Sequence, residues 1–233
     1  YANHRLDAGW APLILSQLRN PTREASLSKR PVILEGGAVD VNGKGALLAT
    51  EECLLDEHCQ VRNPGFTRKT YESLFYKHLG ITHVIWLNAG IAGDDTHGHI
   101  DDICRFVAPD TVVLCREPNP RDGNYAVLEE NYERLQGAKT ETGASLNIVS
   151  LPMPAPLYFR GVRLPASYAN FYIANELVLA PTFNDDQDRI ALGILAELFP
   201  DRRVIGIHAV ELVWGLGTLH CLSHEEPKEK DGV

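Results

Sequence analysis

A chain of 233 residues, 44% of them hydrophobic, is long enough to bury one substantial core. Its net charge of −9 argues against a nucleic-acid backbone as partner and suits a cationic ligand. No apolar run reaches bilayer length and no signal-peptide pattern opens the chain, so a cytoplasmic protein that does not engage a membrane is expected. The five cysteines, Cys53, Cys59, Cys104, Cys115 and Cys221, are scattered and form no Cys-x-x-Cys pair. That favours a reducing compartment and free thiols over disulfides or a zinc knuckle.

Ala11 to Leu18 reads as a short helix with Pro12 in its first turn, and Asn20 to Arg30 as a polar loop. Val32-Ile33-Leu34 reads as a short strand running into Glu35-Gly36-Gly37. Asn42-Gly43 is a hairpin signal, followed by a strand over Ala46 to Thr50. Thr67 caps a helix to about Leu79, with Tyr71, Leu74, Phe75 and His78 on one face, and Gly80 stops it. His83 to Leu87 is a strand.

The same order recurs. Strands are expected over Ile100 to Val107 and Thr111 to Cys115, a helix over Tyr125 to Gln136 and a strand over Leu146 to Leu151. After the Pro152 to Pro156 loop come strands over Ser167 to Ala174 and Leu177 to Ala180, a helix over Asp185 to Phe199, and a strand over Val204 to Ile207. His220 to Ser223 reads as the first strand of a fourth unit. Units of strand-strand-helix-strand at spacings of roughly 65 residues suggest a propeller-like array around an axis. The first strands would then bring Glu35, His99 with Asp101, Asn170 and Cys221 to one central place, as a nucleophilic site requires.

The densest stretch is Gly93 to Asp102, with four carboxylates and two imidazoles. On a strand His99 and Asp101 would share one face. They could be a base beside an anionic anchor for a cation, half of a metal site, or part of an acidic surface loop. Cys53, Cys104 and Cys115 sit in apolar patterns and read as core thiols, Cys59 as a loop thiol. His58, His78, His83, His208 and His224 read as surface or packing residues.

Five separated motifs carry a resemblance. They are Glu35-Gly36-Gly37; Thr50 to Leu55; Gly93-Asp94-Asp95-Thr96 with Gly98-His99-Ile100-Asp101; Ser167-Tyr168 with Asn170 to Asn175; and His220-Cys221. Together, over residues 31 to 227, they resemble the agmatine deiminase / bacterial-type peptidylarginine deiminase family of the pentein superfamily. The resemblance implies an α+β fold, the pentein-type α/β-propeller of repeated strand-strand-helix-strand units, with residues 1–233 as a single catalytic domain. It implies hydrolysis of a guanidino group, with agmatine giving N-carbamoylputrescine and ammonia through an amidino-cysteine.

By resemblance Cys221 is the nucleophile. His99 protonates the leaving ammonia and then activates water, and Asp101 grips the guanidinium. Glu35 contacts the substrate or orients His99. Asp95 sets the charge of the pocket, and Asn170 and Trp214 join the substrate-binding set. His220, adjacent to Cys221, would point to the opposite face of a strand and is given no role as base. No metal or organic cofactor is implied. The same chemistry on peptidyl-arginine, and a pentein that binds a cation without turnover, are the alternatives.

Three departures from the family stand out. The Trp-x-Arg-Asp stretch, source of a second guanidinium carboxylate, is missing, as though the chain lacked the family's N-terminal unit. His97 stands where many members have Asp. Leu216 and Thr218 stand where Gly and Asn are usual. A missing unit would expose strand edges and favour a homo-oligomer.

Overall fold

The structure, a computed structural model, describes residues 26–27 and 30–225. The helix expected over Ala11 to Leu18 lies outside these residues. The chain divides into two compact units. One is Tyr1–Val32 with His224–Val233, whose described strands β1 (Ser26–Leu27) and β2 (Arg30–Pro31) pair antiparallel. The other is Ile33–Ser223, and it holds the three sheets and the site described below.

This second unit repeats one motif three times. In the first, β3 (Asp40–Val41) pairs antiparallel with β4 (Ala46–Thr50), which pairs in parallel with β5 (His83–Leu87). The Asn42 side chain closes the hairpin by accepting from Lys44 N and Ala46 N. The parallel step needs a crossover, and helices α1 (Glu51–Leu55) and α2 (Arg68–Leu79) supply it. Thr67 caps α2 by accepting from Thr70 N, and Gly80 ends it in the left-handed conformation. Tyr71, Leu74 and Phe75 of α2 are buried, whereas His78 is exposed.

In the second motif β6 (Cys104–Ala108) pairs antiparallel with β7 (Thr111–Arg116), and β7 pairs in parallel with β8 (Asn147–Pro152) across α3 (Tyr125–Gln136). A short hairpin, β9 (Tyr158–Phe159) and β10 (Val162–Arg163), follows the proline-rich loop. In the third motif β11 (Tyr172–Ile173), β12 (Leu177–Thr182) and β13 (Arg203–His208) repeat the order around α4 (Gln187–Leu198).

Each central strand is apolar because helices and neighbouring sheets cover it. Leu48, Ile103, Val113, Leu128, Leu151, Phe171, Val178 and Leu195 belong to one buried cluster that runs through all three motifs. Cys53, Cys104 and Cys115 are buried, the last two within the apolar cluster, and Cys59 is exposed. Among the described residues no helix is long and apolar enough to cross a membrane.

Two expected strands, and the leading parts of two others, have a different backbone. Val32 to Leu34 belongs to no strand; the Asn63 side chain instead accepts from Ile33 N and donates to Ile33 O, at 3.0 and 2.7 Å. Ile100–Asp102 is a 3-10 turn, Ser167 to Asn170 holds no strand, and His220 to Ser223 is turn and loop. These segments precede or follow the regular strands and carry the polar residues of the site.

Candidate active site

The leading segments of the three sheets are stitched together by one buried arginine. Arg105 of β6 donates from Nε to Asp40 Oδ1 of β3, at 2.8 Å, and from Nη1 to the carbonyls of Ala169 and Phe171 ahead of β11. Asp40 Oδ2 also accepts from Phe106 N. Ser167 Oγ donates to Asp102 O at 2.8 Å and accepts from Ala169 N. These bonds fix where Glu35, His99 to Asp102, and Asn170 sit relative to one another.

The Gly93 to His99 loop is shaped by Asp94. Its Oδ1 accepts from Thr96 N at 2.8 Å, and its Oδ2 from Gly98 N and His99 N at 2.9 and 3.2 Å. Thr50, which caps α1, donates through Oγ1 to Gly98 O. His99 emerges buried at the head of the 3-10 turn that contains Asp101 and Asp102. Its Nδ1 lies 4.0 Å from Asp101 Oδ1, and its Nε2 lies 4.0 Å from Glu35 Oε1. Glu35 Oε1 accepts from Arg62 Nε at 2.9 Å. Gly37 lies directly against this group: a Cβ there would be 2.6 Å from His99 Nδ1 and 2.8 Å from Asp101 Oδ2.

His220 and Cys221 approach from the other side. The chain turns here, so neighbouring side chains need not oppose each other as they would on a strand. His220 Nδ1 bonds Asp101 Oδ2 at 2.7 Å, and Cys221 Sγ donates to the same oxygen at 3.4 Å. The opposite-face expectation for His220 is therefore corrected. Gly217 makes room for the thiol, since a Cβ there would lie 2.7 Å from Cys221 Cβ. The residue before it, Leu216, holds a left-handed backbone at φ 64°, a conformation that an L side chain with a γ-branch resists.

Burial pushes the Cys221 thiol up, and the charges of Asp102 and Asp101 push it further. Although Cys221 counts as exposed overall, its sulfur faces these buried groups. Burial would also raise Asp101. The hydrogen bond and charge of His220, with His99 and Arg105, outweigh that and hold its carboxyl below the usual range. Asp102 goes the other way. Burial and the charges of Asp101 and Asp94 hold it well above the carboxylate range.

Three polar atoms in this cluster are buried with no hydrogen-bond partner: Glu35 Oε2, His99 Nε2 and Asp101 Oδ1. Buried polar groups are nearly always paired, so such a set points to a ligand that supplies the missing partners. Two carboxylate acceptors flanking an imidazole match a planar cation with several N–H donors. Cys221 Sγ and oxygens of Asp101 and Asp102 also lie within 4.8 Å of one another, a spacing compatible with a metal ion. The Asn170 Nδ2 group donates to both Asp102 Oδ1 and Cys221 Sγ, so its hydrogens face that spot and disfavour a cation.

The structure thus gathers Glu35, His99, Asp101, Asn170 and Cys221. Asp95 is exposed; its backbone carbonyl accepts from Gln60 Nε2, and burial followed by the charge of Asp94 raises its carboxyl. Trp214 is half exposed and stacks on Phe159 of β9, ring centroids 4.6 Å apart. Arg62, Asp94, Asp102 and His220 belong to the cluster although the sequence reading gave none of them a role. Asp94, two residues before Thr96, carried the usual signal of a side chain that closes its own loop.

Residues 1–227 match the Porphyromonas-type peptidyl-arginine deiminase family. A Legionella pneumophila protein, named provisionally as an agmatine deiminase, is 36% identical over 229 residues, covering 98% of this chain and 64% of the relative. The agmatine deiminase of Enterococcus faecalis superposes with a TM-score of 0.78 at 32% identity, over 84% of this chain and 58% of that one. A crystal structure named provisionally as a peptidyl-arginine deiminase superposes with a TM-score of 0.85 at 30% identity, over 96% of this chain and 65% of its own. The chain therefore spans somewhat under two thirds of the length of these relatives.

Proposed function

Because the chain belongs to the Porphyromonas-type peptidyl-arginine deiminase family, we propose that its site hydrolyses a guanidino group, with agmatine as substrate and N-carbamoylputrescine and ammonia as products. The observation that carries this reading is the trio of buried, unpartnered atoms: Glu35 Oε2, His99 Nε2 and Asp101 Oδ1. A guanidinium supplies planar N–H donors to the two carboxylates, and its charge offsets theirs.

That charge also bears on the nucleophile. The Cys221 thiol is held protonated by burial and by the two aspartates. A bound cation favours the thiolate, so the nucleophile forms where its substrate already sits. The thiol proton passes to His99, the sulfur bonds the guanidinium carbon, and the C–N bond to a terminal nitrogen breaks with that proton, releasing ammonia. The remaining amidino-cysteine is attacked by water that has given a proton to His99. The C–S bond breaks, Cys221 recovers its thiol, and the carbamoyl product leaves. Agmatine and one water are consumed, and N-carbamoylputrescine and one ammonia are formed. Glu35, seated by Arg62, and Asp101, seated by His220, hold the plane of the substrate. We take the three sheets as consecutive blades of a pentein propeller, with this site where their leading segments meet.

Arginine in a peptide is the second reading, favoured by the 96% coverage of this chain in the superposition named provisionally for that activity. Ammonia release from agmatine and from a blocked peptidyl-arginine separates the two. Turnover of agmatine that disappears in Cys221→Ser is the expected result; undiminished turnover in that variant would sink the mechanism.

A further inference from the structure

The orientation of the Asn170 amide follows from its partners. The backbone N–H groups of His220 and Cys221, which can only donate, reach its Oδ1 at 3.0 and 3.2 Å, and the Thr218 hydroxyl reaches it at 2.8 Å. The other end must then be the NH2 group. Its two hydrogens go to Asp102 Oδ1 at 2.9 Å and to Cys221 Sγ at 3.0 Å. Asn170 itself is 1% exposed. An amide has two N–H donors and two acceptor lone pairs, and all are engaged within the protein. Asn170 thus has no group left for a substrate, against the expectation that it binds one.

We propose that Asn170 is a positioning residue: its amide seats the sulfur of Cys221 and stabilises the thiolate through an N–H···S bond, while the buried Asp102 carboxyl holds the amide in place. The proposal rests on the reading of Cys221 as the nucleophile. The arrangement has a physical logic. Hydrogen bonds to an anion are roughly twice as strong as neutral ones, so this donor gains strength as the thiol ionises. The same amide carries the backbone of residues 220 and 221 on its oxygen. The position and the ionisation of the sulfur are therefore tied to one side chain. Of the ionisable groups that face the sulfur, Asp101 opposes the thiolate with its charge, Asp102 opposes it only when ionised, and His220 acts through Asp101. Asn170 is the side-chain counterweight, and the backbone N–H of Thr218 adds a smaller one. Asp102 suits the task because its surroundings favour the neutral acid, which can orient the amide without setting a second full charge beside the sulfur.

The test is the pH dependence of Cys221 alkylation by iodoacetamide, followed by mass spectrometry of the Cys221 peptide. It uses the whole chain in a Cys59→Ser background, which removes the exposed competing thiol. Asn170→Ala should slow alkylation at neutral pH by about tenfold and move the profile to higher pH. Asn170→Asp has the same size and keeps an acceptor for Thr218, but sets an oxygen where the donor stood, so it should slow alkylation at least as much. If Asn170→Ala does not fold, Asn170→Asp carries the test alone. A folded variant with the wild-type alkylation profile would overturn the proposal. Alkylation requires no turnover, so a chain that releases no ammonia but shows the shifted profile would refute the deiminase reading and leave the role of Asn170 standing.

Discussion

Gly37→Ala is the smallest change that should disable the site. No special backbone is at stake, since Gly37 does not have a positive φ. The added methyl alone would do the damage. Its carbon would fall 2.6 Å from His99 Nδ1, 2.8 Å from Asp101 Oδ2 and 3.0 Å from Asp101 Cγ. Ordinary contact is about 3.5 Å, so the neighbours must retreat by roughly 1 Å. They cannot do so freely. His99 and Asp101 are 6% and 0% exposed, and the 3-10 turn that carries both is buried. Overpacking of this kind costs about 1–3 kcal/mol of stability. A displacement of about 1 Å at reacting groups costs on the order of 100-fold in rate. Ammonia release from agmatine, measured below the melting temperature, should therefore fall by about 100-fold in kcat/KM while the melting temperature falls by only a few degrees. A Gly37→Ala protein with wild-type turnover would refute the placement of His99 and Asp101 as working groups.

Three further outcomes follow from the same geometry. Arg62→Met leaves Glu35 without its counter-charge and strips donors from the carbonyls of Gln60 and Thr96. Urea unfolding should show a loss of about 2–3 kcal/mol, and a loss under about 0.5 kcal/mol would refute the pairing. Asp56 is held at about 2, first by its hydrogen bond to His97 and then by the backbone N–H groups of His58 and Cys59. In His97→Ala its carboxyl carbon should titrate nearer the usual value of about 4. Because the folded pKa is depressed, the stabilisation is present above about pH 4 and is lost as pH falls toward 2. The melting temperatures of the two proteins should converge over that window, and a difference constant across it would contradict the assignment. Gly193 lies inside α4, and a Cβ placed on it would meet nothing within 4 Å. Gly193→Ala should stabilise the protein by up to about 1 kcal/mol with turnover unchanged, as read by thermal melting and ammonia release; destabilisation would contradict the open space at that position.

The regular elements were legible where local signals agree. Ala46–Thr50, His83–Leu87 and Tyr125–Gln136 lie where the pattern predicts them, and Thr67 and Gly80 bound their helix as expected. Helix α1 was also signalled, by Thr50 followed by Glu51 and Glu52, but it hides between a strand and a polar stretch. The leading segments were misread because an apolar run such as Val32 to Leu34 looks like a strand whether a neighbouring strand or the Asn63 side chain satisfies its backbone. The site is a product of those irregular segments. His220 meets Asp101 across 119 positions, and Arg62 meets Glu35 across 27, distances that no spacing rule encodes. Glu35, His99, Asp101 and Cys221 were chosen through the motifs of the family resemblance, and the fold places them side by side. Their supports, Asp94, Arg62 and Asp102, are ordinary polar residues until the fold brings them in.

The proposed chemistry turns on a bond between the Cys221 sulfur and the guanidinium carbon. Rapid acid quenching during turnover of agmatine, with mass spectrometry of the cysteine peptides, tests it most directly. The expected result is an adduct equal to agmatine less ammonia on the peptide containing Cys221, and on no other cysteine peptide. Turnover with no adduct, or an adduct on Cys53, Cys59, Cys104 or Cys115 instead, would contradict it.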